Sequence, residues 1–101
     1  MNGVEVLRSA GETLLVFEPV LDILGARALY GCLSGVLAEG KSVELDAGQV
    51  ERVDTAALQL LAAFCRAVRE AGVSLRWRNA SGPLCEAAAL LGLSEILGQP
   101  K

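Results

Sequence analysis

The chain switches repeatedly between two hydrophobic periods, and the switches divide it into elements. Val4, Val6 and Leu7 predict a short first strand, followed by a turn at Ser9-Ala10-Gly11-Glu12. From Thr13 to Glu18 the run Leu14-Leu15-Val16-Phe17 is apolar throughout, as in a central strand. Pro19 ends it, because proline has no N–H to give a ladder. Asp22 is placed to cap a helix reaching about Glu39, with Leu24, Ala28, Cys32 and Val36 at helical spacing. Gly25, Gly31 and Gly35 weaken that helix by up to about 1 kcal/mol each relative to alanine. Gly31 and Gly35, one turn apart, are expected to let it approach the sheet closely.

The second half follows the same logic. Ser42 to Asp46 alternates, with Val43 and Leu45 on one face and Ser42, Glu44 and Asp46 on the other, predicting a strand with one wet face. A loop over Ala47–Val53 leads to a helix from about Ala56 to Ala71. Its apolar stripe is Leu58, Leu61, Phe64, Cys65 and Val68, its polar side Gln59, Arg66 and Glu70. Gly72 is positioned to end it. Val73 to Arg78 alternates again, Asn79-Ala80-Ser81 reads as a turn, and Pro83 opens a last helix capped by Ser81. Gly92 terminates that helix, and Ser94–Leu97 adds one further turn.

The order β-β-α-β-α-β-α predicts an α/β fold: a four-stranded mixed sheet with the helices mainly on one face, joined by right-handed crossovers. The expected core is Leu15, Phe17, Leu45, Leu58, Leu61, Val68 and Leu75, with Trp77 on the same side. Glu44 and Arg76 are expected together on the open face.

Composition narrows the function. At 101 residues the chain is expected to form one domain over 1–101. Apolar residues make up 52% and charged residues 21%, as in a folded globular chain. The net charge is −3 and the arginines and lysines are scattered. Nucleic acid and anionic membrane both demand concentrated positive charge, so neither is the expected partner. Residues 1–10 lack a signal-peptide apolar core, and Asp22 and Arg27 interrupt the longest apolar region, so a cytoplasmic protein without membrane insertion is expected. Cys32, Cys65 and Cys85 are widely spaced and there is no histidine, which points to three free thiols and to no metal or other cofactor.

The candidate chemistry sits in Val53-Asp54-Thr55-Ala56-Ala57-Leu58, between the alternating strand and the second helix. It presents a hydroxyl beside a carboxylate at a helix N-terminus, where free amides and the dipole can receive a phosphate. Asp and Thr also cap helices, worth roughly 1 kcal/mol. Asp46, at the preceding strand end, reads as a loop hydrogen-bond acceptor. There is no nucleophile–base pair, P-loop or GxGxxG, so an enzyme is not expected.

This element order, with Leu45-Asp46 at a strand end, Val53-Asp54-Thr55-Ala56-Ala57-Leu58 at a helix start and Leu91-Gly92-Leu93 near the C-terminus, resembles the STAS family, which includes bacterial anti-sigma factor antagonists. The likeness spans about Thr13 to Leu97. It implies a non-enzymatic regulatory module that docks a serine-kinase-like or anti-sigma ATPase domain. Phosphorylation then falls on the hydroxyl after the loop aspartate, here Thr55, and breaks the complex. Thr stands where antagonists usually carry Ser, and Ala57 where they carry Gly. The resemblance places the partner surface on Asp54, Thr55, Ala56, Ala57, Gln59 and Asp46. The Asp-Thr form is also similar to the STAS subunit of lipid-asymmetry ABC transporters, whose loop touches an ATPase without phosphorylation. It is similar as well to small STAS proteins found with chemotaxis components.

Overall fold

The apolar run of residues 14–17 forms β2 (Glu12–Phe17) in the middle of a sheet, as its composition requires. The computed structural model describes residues 4–98. The main sheet has the order β1-β2-β4-β6, with β1 at Val4–Arg8, β4 at Ser42–Ala47 and β6 at Leu75–Ala80. β1 runs antiparallel to β2, while β2/β4 and β4/β6 are parallel pairs. A parallel pair needs a long crossover, and α1 (Ala26–Glu39) and α2 (Thr55–Glu70) supply the two. α3 (Gly82–Leu90) and α4 (Ser94–Leu97) follow β6. The expected mixed four-stranded sheet and helix layer are therefore present.

Alternation sorts the two faces of the sheet. Thr13, Leu15 and Phe17 of β2 and Val43, Leu45 and Ala47 of β4 are all buried. Against them lie Leu29, Leu33 and Val36 of α1 and Leu58, Leu61, Cys65 and Val68 of α2. Each fully buried leucine contributes about 2 kcal/mol through the water it sheds. The opposite face carries an ion-pair ladder. Arg76 reaches Glu12 at 3.1 Å and Glu44 at 3.8 Å, and Arg78 reaches Glu44 at 2.9 Å. The expected Glu44–Arg76 pairing is thus one rung of a larger network. Thr13 is the one buried polar residue among those described, and its hydroxyl has no hydrogen-bond partner.

Several sequence expectations shift. α1 does not start at Asp22. Asp22 instead accepts from the Gly25 amide at 3.3 Å and closes a 3-10 turn over Ile23–Gly25, and α1 begins after it without a side-chain cap. The buried stripe of α1 is Leu29, Leu33 and Val36: Leu24 stands in the tighter 3-10 turn, out of phase with the helix, while Ala28 lies in α1 on its exposed side and Cys32 is half-buried. Gly31 and Gly35 face open space and give no close sheet contact. β6 begins two residues later than its alternation suggests and absorbs Asn79 and Ala80. A bulge makes this possible: Leu45 faces Trp77 but Asp46 faces Asn79, leaving Arg78 as the extra residue. Leu75, expected in the core, is half-buried because β6 is an edge strand.

The ends of the helices are closed locally. Gly72 at φ +75° lets the Val73 amide reach the Val68 carbonyl at 3.1 Å and the Gly72 amide reach Arg69 at 3.0 Å, a Schellman ending for α2. α4 is held from two sides. Trp77 Nε1 donates to the Leu97 carbonyl at 2.9 Å, and Arg69 donates to the carbonyls of Leu97, at 2.8 Å, and Ile96. Arg69 thus ties the C-terminal turn to α2.

Cys32, Cys65 and Cys85 are free. Burial pushes the Cys65 thiol up to about 12. Alkylation of the native protein at pH 8 should therefore leave Cys65 untouched, whereas the unfolded chain should react at all three cysteines. Leu61→Ala, in the middle of the α2 stripe, should lower stability by about 2–5 kcal/mol in denaturant titration, with the m-value unchanged.

Candidate functional site

The loops after β2 and β4 end with unpaired backbone groups, and they satisfy one another. The Pro19 carbonyl accepts from the amides of Glu51, at 2.7 Å, and Arg52, at 3.0 Å. Just beyond, β3 (Val20–Leu21) and β5 (Arg52–Val53) pair in parallel, Val20 opposite Arg52 and Leu21 opposite Val53. The Leu21 carbonyl then accepts from the Asp54 amide at 3.0 Å. Val50 is buried beneath the second loop and acts as its apolar plug. The stretch expected to be an irregular loop over 47–53 therefore contains a small second sheet. Two-residue strands lack the length to show a period.

This arrangement sets Asp54 as the N-cap of α2. It lies in extended backbone, at φ −88° and ψ 169°, and its side chain accepts from the Ala57 amide at 3.0 Å. Its carbonyl accepts the first helical bond from the Leu58 amide, also at 3.0 Å. Thr55 is the first helical residue and is exposed, Ala56 is half-buried and Gln59 is exposed one turn on. Ala57 is different: at 1% exposure its methyl belongs to the core. The capping and the presented hydroxyl thus coexist on adjacent residues. A depression of about 140 Å³, lined by Val20, Leu21, Asp22, Arg52, Val53 and Asp54, opens beside the cap.

Asp46 is engaged elsewhere. Its Oδ1 accepts from the Gly48 amide at 3.1 Å and from Asn79 Nδ2 at 3.4 Å, which fixes the rim between β4 and β6. A Cβ at Gly48 would stand 3.1 Å from Asn79 Cβ, so the turn favours glycine there. Asp46 is the loop acceptor that the sequence suggests, at the main-sheet rim, while Asp54 serves the helix.

The arrangement offers hydrogen-bonding and charge. No group of three or more His, Cys, Asp or Glu among the described residues is placed to hold a metal ion. Among the described residues no helix is long and apolar enough to cross a membrane. Added phosphate at Thr55 would feel two opposed terms. The helix N-terminus favours an anion by about 0.3–1 kcal/mol, and the neighbouring Asp54 carboxylate repels it by a similar amount through water, about 1 kcal/mol. The two nearly cancel in the free domain. At a desolvated interface they would not, because stripping water from an uncompensated charge costs several kcal/mol.

Residues 5–98 match the family model described as "Mlab, STAS domain". No curated protein matches the chain. Among solved structures, an anti-sigma factor antagonist from Mycobacterium paratuberculosis is similar, with TM-score 0.71 and 22% identity over 91% of this chain and 79% of that one. The anti-sigma factor antagonist SpoIIAA in its unphosphorylated form gives TM-score 0.73 and 14% identity over 91% and 83%. The Bacillus cell fate determinant SpoIIAA in its phosphorylated form gives 0.69 and 12% over 91% and 86%. A protein named Mglu matches with TM-score 0.68 and 23% identity over 79% of this chain, which spans only 20% of Mglu's length. These likenesses show a common fold.

Asp54→Ala removes the cap and leaves the Ala57 amide without its acceptor. It should destabilise the protein by about 1 kcal/mol in chemical denaturation, and Asp54→Asn should restore most of that.

Proposed function

This chain belongs to the STAS domain family, and we propose that it is a non-enzymatic regulatory module that docks a larger protein through the Asp54–Thr55 turn and the start of α2, with Thr55 as the phosphoacceptor that switches the complex. The observation that carries this reading is the exposed Thr55 hydroxyl on a helix start that is held from three directions by Asp54, Leu21 and Pro19. A partner reading such a turn meets a preorganised surface and loses little entropy on binding. The fold shared with anti-sigma factor antagonists supports a kinase-like or anti-sigma ATPase as that partner. In the docked state Thr55, Ala56 and Gln59 make contact directly, Asp54 and Ala57 support them from beneath, and Asp46 stiffens the adjoining rim.

The family model's own description favours a second reading. Here the chain is a constitutive subunit of an ABC transporter ATPase complex of the lipid-asymmetry type, and the unmodified Thr55 hydroxyl is itself a contact.

One pair of substitutions separates the two. Thr55→Glu should weaken docking in either case, since it places charge where water must leave. Thr55→Ala should preserve or tighten a phospho-switched complex and weaken a constitutive one by about 1 kcal/mol, the worth of one hydrogen bond. The readout is co-purification with a serine-kinase-like ATPase or an ABC-type ATPase, together with mass spectrometry of the peptide containing Thr55. Unchanged binding by both variants would reduce the turn to a helix cap.

A further inference from the structure

Leu24 is 91% exposed, the highest value among the exposed large apolar residues, and Val20 is 45% exposed. Neither position is accidental in the fold. Val20 pairs with Arg52 in the small sheet, and Leu24 stands in the 3-10 turn that follows directly. Leu21, three residues before Leu24, carries the carbonyl bonded to Asp54. Three residues span at most about 11 Å, and with the 3.0 Å hydrogen bond from Leu21 that sets Leu24 within roughly 15 Å of the amide of Asp54, the residue before Thr55. A standard interface covers about 800 Å² per partner, a disc of roughly 16 Å radius, and one disc centred on Asp54 takes in both apolar side chains.

The charge distribution identifies the other half of the surface. The two segments that form this end, 18–27 and 46–55, hold five carboxylates and two arginines. The remaining residues have as many basic as acidic side chains, so the chain's entire net charge of −3 belongs to this end. Elsewhere Arg8 pairs with Glu39, Arg66 with Glu70, and Arg76 and Arg78 with Glu12 and Glu44 on the open sheet face. An apolar centre within a charged rim is the usual anatomy of a specific protein interface.

We propose that Leu24 and Val20 are the apolar anchors of the surface that presents Thr55, and that the partner meets them with an apolar pocket rimmed by basic side chains. This rests on the reading that the Asp54–Thr55 turn docks a protein, and it adds a contact on a different element from that turn. Leu24 carries the energy of contact because it makes almost none within its own fold. The acidic rim selects and steers the partner, and its effect falls as salt rises.

The test places a benzophenone side chain at position 24, at position 59 or, as a control, at position 90, another exposed leucine at the far end of α3. Illumination of cells making each full-length chain should crosslink positions 24 and 59 to the same protein and leave position 90 uncrosslinked to it. With that protein purified, Leu24→Ser should weaken binding about tenfold while the denaturation midpoint stays in place, and 300 mM salt should weaken the unmodified complex several-fold relative to 50 mM. If position 59 crosslinks and position 24 does not, or if Leu24→Ser binds with unchanged affinity, the anchor is refuted and the docking of the turn stands. If neither position crosslinks, the docking reading itself fails. A crosslink from position 24 to a second copy of this chain overturns the assignment to a different partner, and salt-independent binding overturns the basic rim.

Discussion

β4 has no free edge. It pairs in parallel with β2 on one side and β6 on the other, and its inward residues Val43, Leu45 and Ala47 are buried. Both parallel pairings demand crossovers, and α1 and α2 are the only long helices among the described residues. The same inward face therefore has to receive the stripes of both helices, and the core is the place where those three elements meet. The N-terminal strand and the C-terminal turn are later additions to that frame. β1 pairs antiparallel on the outside of β2, and α4 is clasped by Trp77 and Arg69.

That frame dictates where a functional surface can lie. The carboxyl ends of two adjacent parallel strands leave their backbone groups at one edge of the molecule, and the loops that leave them must find partners for those groups. Here Pro19 and Leu21 supply carbonyls to Glu51, Arg52 and Asp54. The turn before α2 becomes a rigid element for this reason, although it contains no long strand. Asp54 then completes the helix start, leaving the next residue, Thr55, pointing to solvent. Rigidity and presentation come from the same set of hydrogen bonds.

Charge follows the same division. On the open sheet face, arginines of β6 neutralise the glutamates of β2 and β4, each exposed pair worth at most about 1 kcal/mol. At the loop end the acidic residues bind backbone amides instead: Asp22 that of Gly25, Asp46 that of Gly48, Asp54 that of Ala57. These side chains stabilise turns, and the end that shapes the turn also holds the chain's excess of carboxylates.

Period and punctuation sufficed for the long elements. The alternation at Ser42–Asp46, the helical stripe from Leu58 to Val68, the stops at Gly72 and Gly92 and the cap at Asp54 were all legible, because each depends on neighbours within a few residues. The candidate turn was legible for the same reason: a cap and a presented hydroxyl need only a strand before them and a helix after. Tertiary structure decided the rest. Leu24 fits a helical pattern yet stands in water, since the phase of α1 is set by Leu29, Leu33 and Val36 against the sheet. Ala57 is expected on the partner surface yet is buried, since α2 turns it toward the core. The pairing of residues 20–21 with 52–53 joins segments some thirty residues apart, and no local signal encodes a contact whose two halves are each too short to have a period.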